Sequence, residues 1–214
     1  MIISVAFAAP FLSPAYAETP DGEAFVAAFG EVCIPERLSY KGTVALAEKL
    51  GWQHVVPGEN AGYDRFIAHS DALLAEEVAE DPDLIEGTGN AWFTREVGER
   101  PHLLAVSYLL TEYLDALGCY LYDFAATAPI DPEPVTRLLG QPIAHTTDGG
   151  DPFYAVDPEL LVTTVWGPPP SLPRTLDTYL TFIPQASEVA AQTGFTGLML
   201  KSSTSLPNRE EWQE

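Results

Sequence analysis

Acidic residues cluster around two glycines in the second half of the chain. The segment 145–151 reads His-Thr-Thr-Asp-Gly-Gly-Asp, so Asp148 and Asp151 flank the glycines, and Asp157 follows shortly after them. Calcium needs several hard oxygen ligands on a flexible turn. Asp148, Asp151 and Asp157 are therefore candidate calcium ligands. Their spacing matches neither an EF-hand nor a nonapeptide repeat, and this composition is also typical of ordinary turns.

A second set of candidate site residues is aromatic and would stack on a sugar or a peptide in a groove. Tyr120 and Tyr122 stand at alternating positions, which on a strand places them on one face of a sheet. Packing in the core is the alternative role of these side chains. The six candidates are Trp52, Trp92, Tyr108, Tyr120, Tyr122 and Trp166.

The sequence carries no familiar catalytic motif: G-x-S-x-G, S-x-x-K, H-E-x-x-H, C-x-x-C and the Walker loop are all missing. The four histidines have no i, i+4 pairing, and His102, directly after Pro101, is predicted to lie on the surface. Paired carboxylates need no sequence motif. A hydrolase that uses acids of the 148–157 region and a nearby histidine is therefore one alternative function.

The first seventeen residues predict a signal peptide. Residues 1–17 carry no charge, and an apolar run is followed by Ser13-Pro14 and an Ala-Tyr-Ala site. No lysine or arginine precedes the apolar run, which departs from the usual pattern. Cys33 and Cys119 are the only cysteines. In an exported protein this pair predicts a disulfide, whereas in a cytosolic protein it would be two buried thiols.

Composition predicts one globular domain. Of the 214 residues 46% are hydrophobic, which is too many for a disordered chain, and the formal net charge is −21. Such a charge disfavours nucleic acid and anionic lipid as partners, and favours metal cations, basic partners or simply solubility. The apolar stretch 103–124 contains Glu112 and Asp115 near its middle, so we expect no membrane span after the leader.

Apolar spacing and turn residues predict an α+β domain over 18–203, with a mainly antiparallel sheet, two helices at the N-terminal end and one or two further short helices. The expected helices are 24–33, 43–50, 135–139 and 187–192, and 68–86 is an amphipathic acidic segment with one apolar face. The expected strands are 52–56, 91–97, 103–110, 119–124, 153–156, 160–166, 178–183 and 197–201. For 103–124 the alternative is a buried helix followed by a strand, and the β-branched and aromatic content favours two strands. A turn is expected at 87–90, and a frayed tail over 204–214.

The residues around the two cysteines carry a resemblance to known proteins. The chain resembles small uncharacterised periplasmic proteins of Gram-negative bacteria in the following order of features: Phe25, Phe29 and Cys33, a helix ending in Leu50-Gly51-Trp52, Trp92, and Cys119 before a Leu-Gly helix. The resemblance implies only export and the cysteine pair.

The sequence therefore favours a periplasmic or secreted, non-enzymatic module that binds a small ligand or a protein partner in the envelope. The alternatives are the carboxylate hydrolase and a calcium-stabilised structural protein, in which calcium would be the one cofactor.

Overall fold

The computed structural model describes residues 21–80, 82–148 and 153–206, which fold into five helices and eight strands and confirm the predicted α+β class. The helices are α1 (Gly22–Cys33), α2 (Tyr40–Lys49), α3 (Ala61–Glu80), α4 (Glu133–Leu139) and α5 (Val189–Thr193). The strands are β1 (Gln53–His54), β2 (Ile85–Val97), β3 (Arg100–Thr111), β4 (Asp115–Asp123), β5 (His145–Thr146), β6 (Val162–Trp166), β7 (Thr175–Ile183) and β8 (Gly197–Ser205).

All eight strands form one antiparallel sheet in the order β1-β2-β3-β4-β8-β7-β6-β5. The sheet therefore consists of two meanders of four strands, joined where β4 pairs with β8. The β2–β3 turn is made by Gly98 and Glu99, whose φ angles of 56° and 64° are those of a tight hairpin turn that matches the twist of the strands.

One face of the sheet, here called the closed face, is covered by α1, α2 and α4. α1 begins because the Asp21 carboxylate accepts a hydrogen bond from the backbone N–H of Ala24 (3.1 Å). Its apolar side then packs Phe29 and Val32 against Leu104 and Leu121 of the sheet, and all four side chains are fully buried.

The predicted disulfide is confirmed. Cys33 at the end of α1 is bonded to Cys119 in β4, with their Cα atoms 5.7 Å apart, and both residues are buried. The bond ties the first helix to the middle of the sheet across 86 residues of chain, on the closed face.

The other face, here called the open face, carries α3 and α5 over part of its area. An aromatic cluster centred on Phe66 of α3 fixes the first half of that helix. The ring of Phe66 lies 5.0 Å from Tyr122, 5.4 Å from Phe124 and 5.9 Å from Phe195, measured between centroids. Such distances are those of favourable edge-to-face and tilted aromatic pairs.

The predicted turn at 87–90 is wrong, because these residues belong to β2 and pair with β3. A Cβ atom on Gly89 would lie 2.4 Å from the ring of Tyr108, so the glycine makes room for that ring instead of bending the chain. The amphipathic segment expected over 68–86 lies largely in α3. This helix begins earlier, at Ala61, because the Asn60 side chain accepts hydrogen bonds from the first N–H groups, and it ends at Glu80.

Three boundaries near the end of the chain also differ. Residues 153–156 form no strand, and β6 begins at Val162. β8 continues to Ser205, because Thr204 pairs with β4 and β7, and Leu206 is buried behind it. Residues 204–206 of the predicted frayed tail are therefore part of the fold, whereas residues 207–214 lie outside the described residues, as does the predicted signal peptide. Among the described helices, none has the length and apolarity to cross a membrane.

Candidate functional site

A groove separates the second half of α3 from the open face. The residues of α3 that are buried, Tyr63 and Phe66, lie in its first half. Further along, Leu73 is 47% exposed and Leu74 and Val78 are only half-buried. The apolar side of the helix thus continues beyond the point where it packs on the sheet.

The groove has a volume of about 340 Å³. Its helix wall is formed by Ser70, Leu73, Leu74 and Glu77. Its sheet wall includes Asn90, Trp92, Ser107, Leu109, Tyr120 and Tyr122. A second depression lies along the same half of the helix and shares Leu74, Asn90 and Trp92 with the first, so the hollow extends along the helix.

The aromatic floor of the groove is held in place by its neighbours. Tyr120 and Tyr122 are stacked with an interplanar angle of 7° and a centroid distance of 6.3 Å. Trp92 meets Phe66 edge-on at 5.8 Å. Trp92 and Tyr120 remain half-buried, so both present ring surface to the groove. Rigid aromatic surfaces of this kind bind flat apolar groups at small entropic cost.

The polar groups of the groove are mostly neutral. Asn90, Ser70 and Ser107 supply hydrogen-bonding side chains, and Glu77 is the one acidic residue among the described residues that line it. Burial raises the pKa of the Tyr122 phenol, and the neighbouring Tyr120 raises it further, so this group stays protonated at physiological pH. The groove is therefore suited to recognition by stacking and neutral hydrogen bonds.

Four of the six predicted aromatic residues line the groove, Trp92, Tyr108, Tyr120 and Tyr122, and three of them, all but Tyr108, pack together on the open face. The ring of Tyr108 packs on the closed face against Tyr40, at a centroid distance of 4.8 Å. Trp52 and Trp166 are buried in the core of the closed face. The Trp166 indole N–H donates to the Thr136 hydroxyl (3.1 Å), which explains how a large polar ring is buried there.

Sequence reasoning missed the helix wall of the groove. Leu73, Leu74 and Val78 did show as the apolar side of an acidic amphipathic segment, but that signal predicts packing and not a gap. Asn90 and Ser107 gave no signal, because neutral polar residues occur throughout loops and strands.

The candidate calcium ligands are not assembled into a site within the described residues. Asp148 accepts a hydrogen bond from the Thr146 hydroxyl, and Asp157 accepts one from the backbone N–H of Glu159 (2.9 Å). Asp151 lies outside the described residues. Among residues 21–80, 82–148 and 153–206, no group of three or more His, Cys, Asp or Glu side chains is placed to hold a metal ion.

The prediction of a surface position for His102 is wrong, since this residue is 3% exposed beneath α1, with its ring 5.6 Å from that of Phe25. Its Nδ1 donates to the backbone carbonyl of Arg100 (2.8 Å), and its Nε2 lies 3.7 Å from the Asp123 carboxylate. The Arg100 guanidinium binds the same carboxylate at 2.8 Å.

Burial lowers the pKa of the His102 imidazole, although the hydrogen bond to Arg100 and the charge of Asp123 oppose this effect. Asp123 is 1% exposed, so a substrate has no access to the histidine–carboxylate pair. The Arg100–Asp123–His102 cluster is a buried polar network that joins β3 and β4, and not a catalytic site.

Comparison with known proteins finds no matching family model, no matching curated protein and no matching solved structure.

Proposed function

We propose that the chain is a non-enzymatic binding module that holds a small ligand in the groove between α3 and the open face. The observation that carries the proposal is the half-buried surface of Trp92 and Tyr120, which faces the apolar side of a helix across an unfilled space. Clefts lined by aromatic and apolar side chains with a few polar groups are the usual sites at which proteins bind small ligands. Stacking on two rings and hydrogen bonds to Asn90 and Ser107 suit a ligand with a flat apolar surface and neutral polar groups.

The proposal includes export to the periplasm or the medium. The Cys33–Cys119 disulfide supports it, because disulfides persist in oxidising compartments and are rare in the cytosol. The uncharged leader followed by Ala-Tyr-Ala supports it independently.

The groove is tested with a neutral aromatic probe, N-phenyl-1-naphthylamine, whose fluorescence rises when it leaves water. We expect the full mature chain to bind it, and Leu73→Gln to weaken binding about fivefold, because the apolar helix wall is lost. Leu38→Gln is the matched control: Leu38 is exposed to a similar extent (37%) in the loop between α1 and α2, away from the groove.

Equal binding by the wild type and Leu73→Gln would contradict the proposal, as would a wild-type protein that does not bind the probe. Unfolding midpoints of the two variants should match that of the wild type, since both leucines are exposed. A loss of binding with an unchanged midpoint therefore reports the groove and not the fold.

A further inference from the structure

The aromatic floor of the groove continues across the open face to a lysine. Strand pairing places Trp92 opposite Ala105, Ala105 opposite Tyr120, Tyr120 opposite Lys201, and Lys201 opposite Tyr179. Residues directly opposite each other on neighbouring strands share a face, about 4.8 Å apart from strand to strand. Lys201 in β8 therefore lies between Tyr120 and Tyr179, one strand beyond the groove.

The surroundings of Lys201 differ from those of the other strand cations. The described strands contain three Lys or Arg residues, Arg95, Arg100 and Lys201. Arg95 and Arg100 point to the closed face and pair with Glu31 (3.7 Å) and Asp123 (2.8 Å). Among the described residues, no carboxylate forms an ion pair with Lys201, and its ammonium lies 4.7 Å from the centre of the Tyr179 ring.

A half-buried ammonium without an anionic partner is unusual in this chain, because the sequence contains 31 acidic residues and only 10 basic ones. Burial lowers the pKa of Lys201, because its charge is poorly solvated, and an anion beside it would restore the lost stabilisation. The chain's net negative charge repels anions at long range, but salt screens that field beyond about 8 Å. At contact distance, the attraction between the Lys201 ammonium and an anion therefore outweighs this repulsion.

We propose that Lys201 binds the charged end of the ligand, and that the ligand of the open face is a small amphipathic organic anion. This inference rests on the proposed function, since the flat apolar part of the ligand lies on Tyr120 and in the groove. The orientation follows from charge: Glu77 on the helix wall repels a carboxylate or sulfonate, whereas Lys201 attracts it. The ligand therefore has its anionic group towards β8 and its apolar end under α3.

Two probes that differ in one charged group test the inference. 1-Anilinonaphthalene-8-sulfonate carries a sulfonate that N-phenyl-1-naphthylamine lacks, and the two are otherwise closely alike. Lys201→Met keeps an unbranched apolar side chain but removes the charge. We expect it to weaken binding of the sulfonate about tenfold and to leave the affinity for the neutral probe within about twofold of the wild-type value. Lys201→Arg keeps the charge and should retain binding of the sulfonate.

Lys49→Met is the matched control, because Lys49 is an exposed lysine at the end of α2 and its removal changes the net charge by the same amount. It should leave both affinities unchanged. The inference is overturned if Lys201→Met affects both probes equally, or neither. In either case, weaker binding of the neutral probe by Leu73→Gln would still support the groove as the binding site, so the two proposals can fail separately. Wild-type protein that binds neither probe would overturn both.

Discussion

The two faces of one sheet are packed to different extents in this protein. On the closed face, Phe29, Leu104, Leu121 and Leu200 are fully buried, and a disulfide fastens α1 to the strands. On the open face, α3 packs tightly only around Phe66, and its second half leaves a groove. Buried apolar area supplies most of the free energy of folding. The closed face therefore stabilises the domain, while the open face leaves the rings of Trp92 and Tyr120 only half-buried.

The largest expected effect concerns the disulfide on the closed face. Replacing both cysteines, Cys33→Ala with Cys119→Ala, should lower the free energy of unfolding by about 4–5 kcal/mol, because the unfolded chain loses a cross-link that spans 86 residues. Urea unfolding of the oxidised wild type and the double variant measures the difference. Equal midpoints would contradict a stabilising role of the disulfide.

The redox state of Cys33 and Cys119 also indicates the cellular compartment in which the protein resides. Protein recovered from the periplasm or medium should begin at Glu18 and gain the mass of two hydrogen atoms on reduction. Recovery of the unprocessed chain from the cytoplasm, with free thiols, would contradict export.

The next largest expected change in the free energy of unfolding comes from truncating a leucine on the closed face, and it is compared with truncation of a leucine on the open face. Leu121→Ala on the closed face should cost about 2–5 kcal/mol, because it opens a cavity among fully buried side chains. Leu73→Ala on α3 should cost less than about 0.5 kcal/mol, because that side chain is already 47% exposed and fills no core space. Both are read from the same urea unfolding series. A large cost at Leu73 would show that the second half of α3 is packed, and the groove would be lost as a candidate site.

The smallest expected effect is the pH dependence of stability that results from the burial of His102 on the closed face. Its pKa in the folded protein lies below the unfolded value of about 6.5, so between the two values the unfolded chain binds more protons. This contribution to stability is present above pH 6.5 and is lost as the pH falls below it. We expect the unfolding midpoint of the wild type to fall between pH 7.5 and pH 5.5.

His102→Gln should reduce that fall, since it removes the titrating group while keeping a polar side chain in the network. The slope between the two pH values is compared, and not the midpoint itself, because the substitution also changes the packing against Phe25. An unchanged slope in His102→Gln would assign the pH dependence to other groups.

Much of the fold followed from local sequence signals. The helix at 22–33 and the strands at 100–111 and 115–123 were predicted to within a few residues, because apolar spacing and β-branched or aromatic composition act locally. The segment 87–90 shows where local signals fail. Its two glycines suggested a turn, but hydrogen bonds from β3 and the ring of Tyr108 over Gly89 make it a strand. Those partners are distant in sequence.

The candidate site was predictable only in part for a related reason. Tyr108 and Tyr120 are the same residue type in neighbouring strands, yet they lie on opposite faces. The pairing of β3 with β4 places Tyr108 opposite Leu117 and Tyr120 opposite Ala105. A change of one residue in that register would exchange the faces of one strand relative to the other. The groove also depends on how far α3 rises from the sheet, which its own sequence does not specify.

By itself, the sequence determined the α+β class, the approximate positions of most elements and the cysteine pair, because caps, periodicity and residue chemistry are encoded over short distances. Only the tertiary structure decided which aromatic residues meet, that His102 is buried with Asp123, and that Lys201 stands between two tyrosines without an ion-pair partner among the described residues. These facts depend on strand register and on helix packing between residues far apart in the chain, where single-residue preferences carry no information.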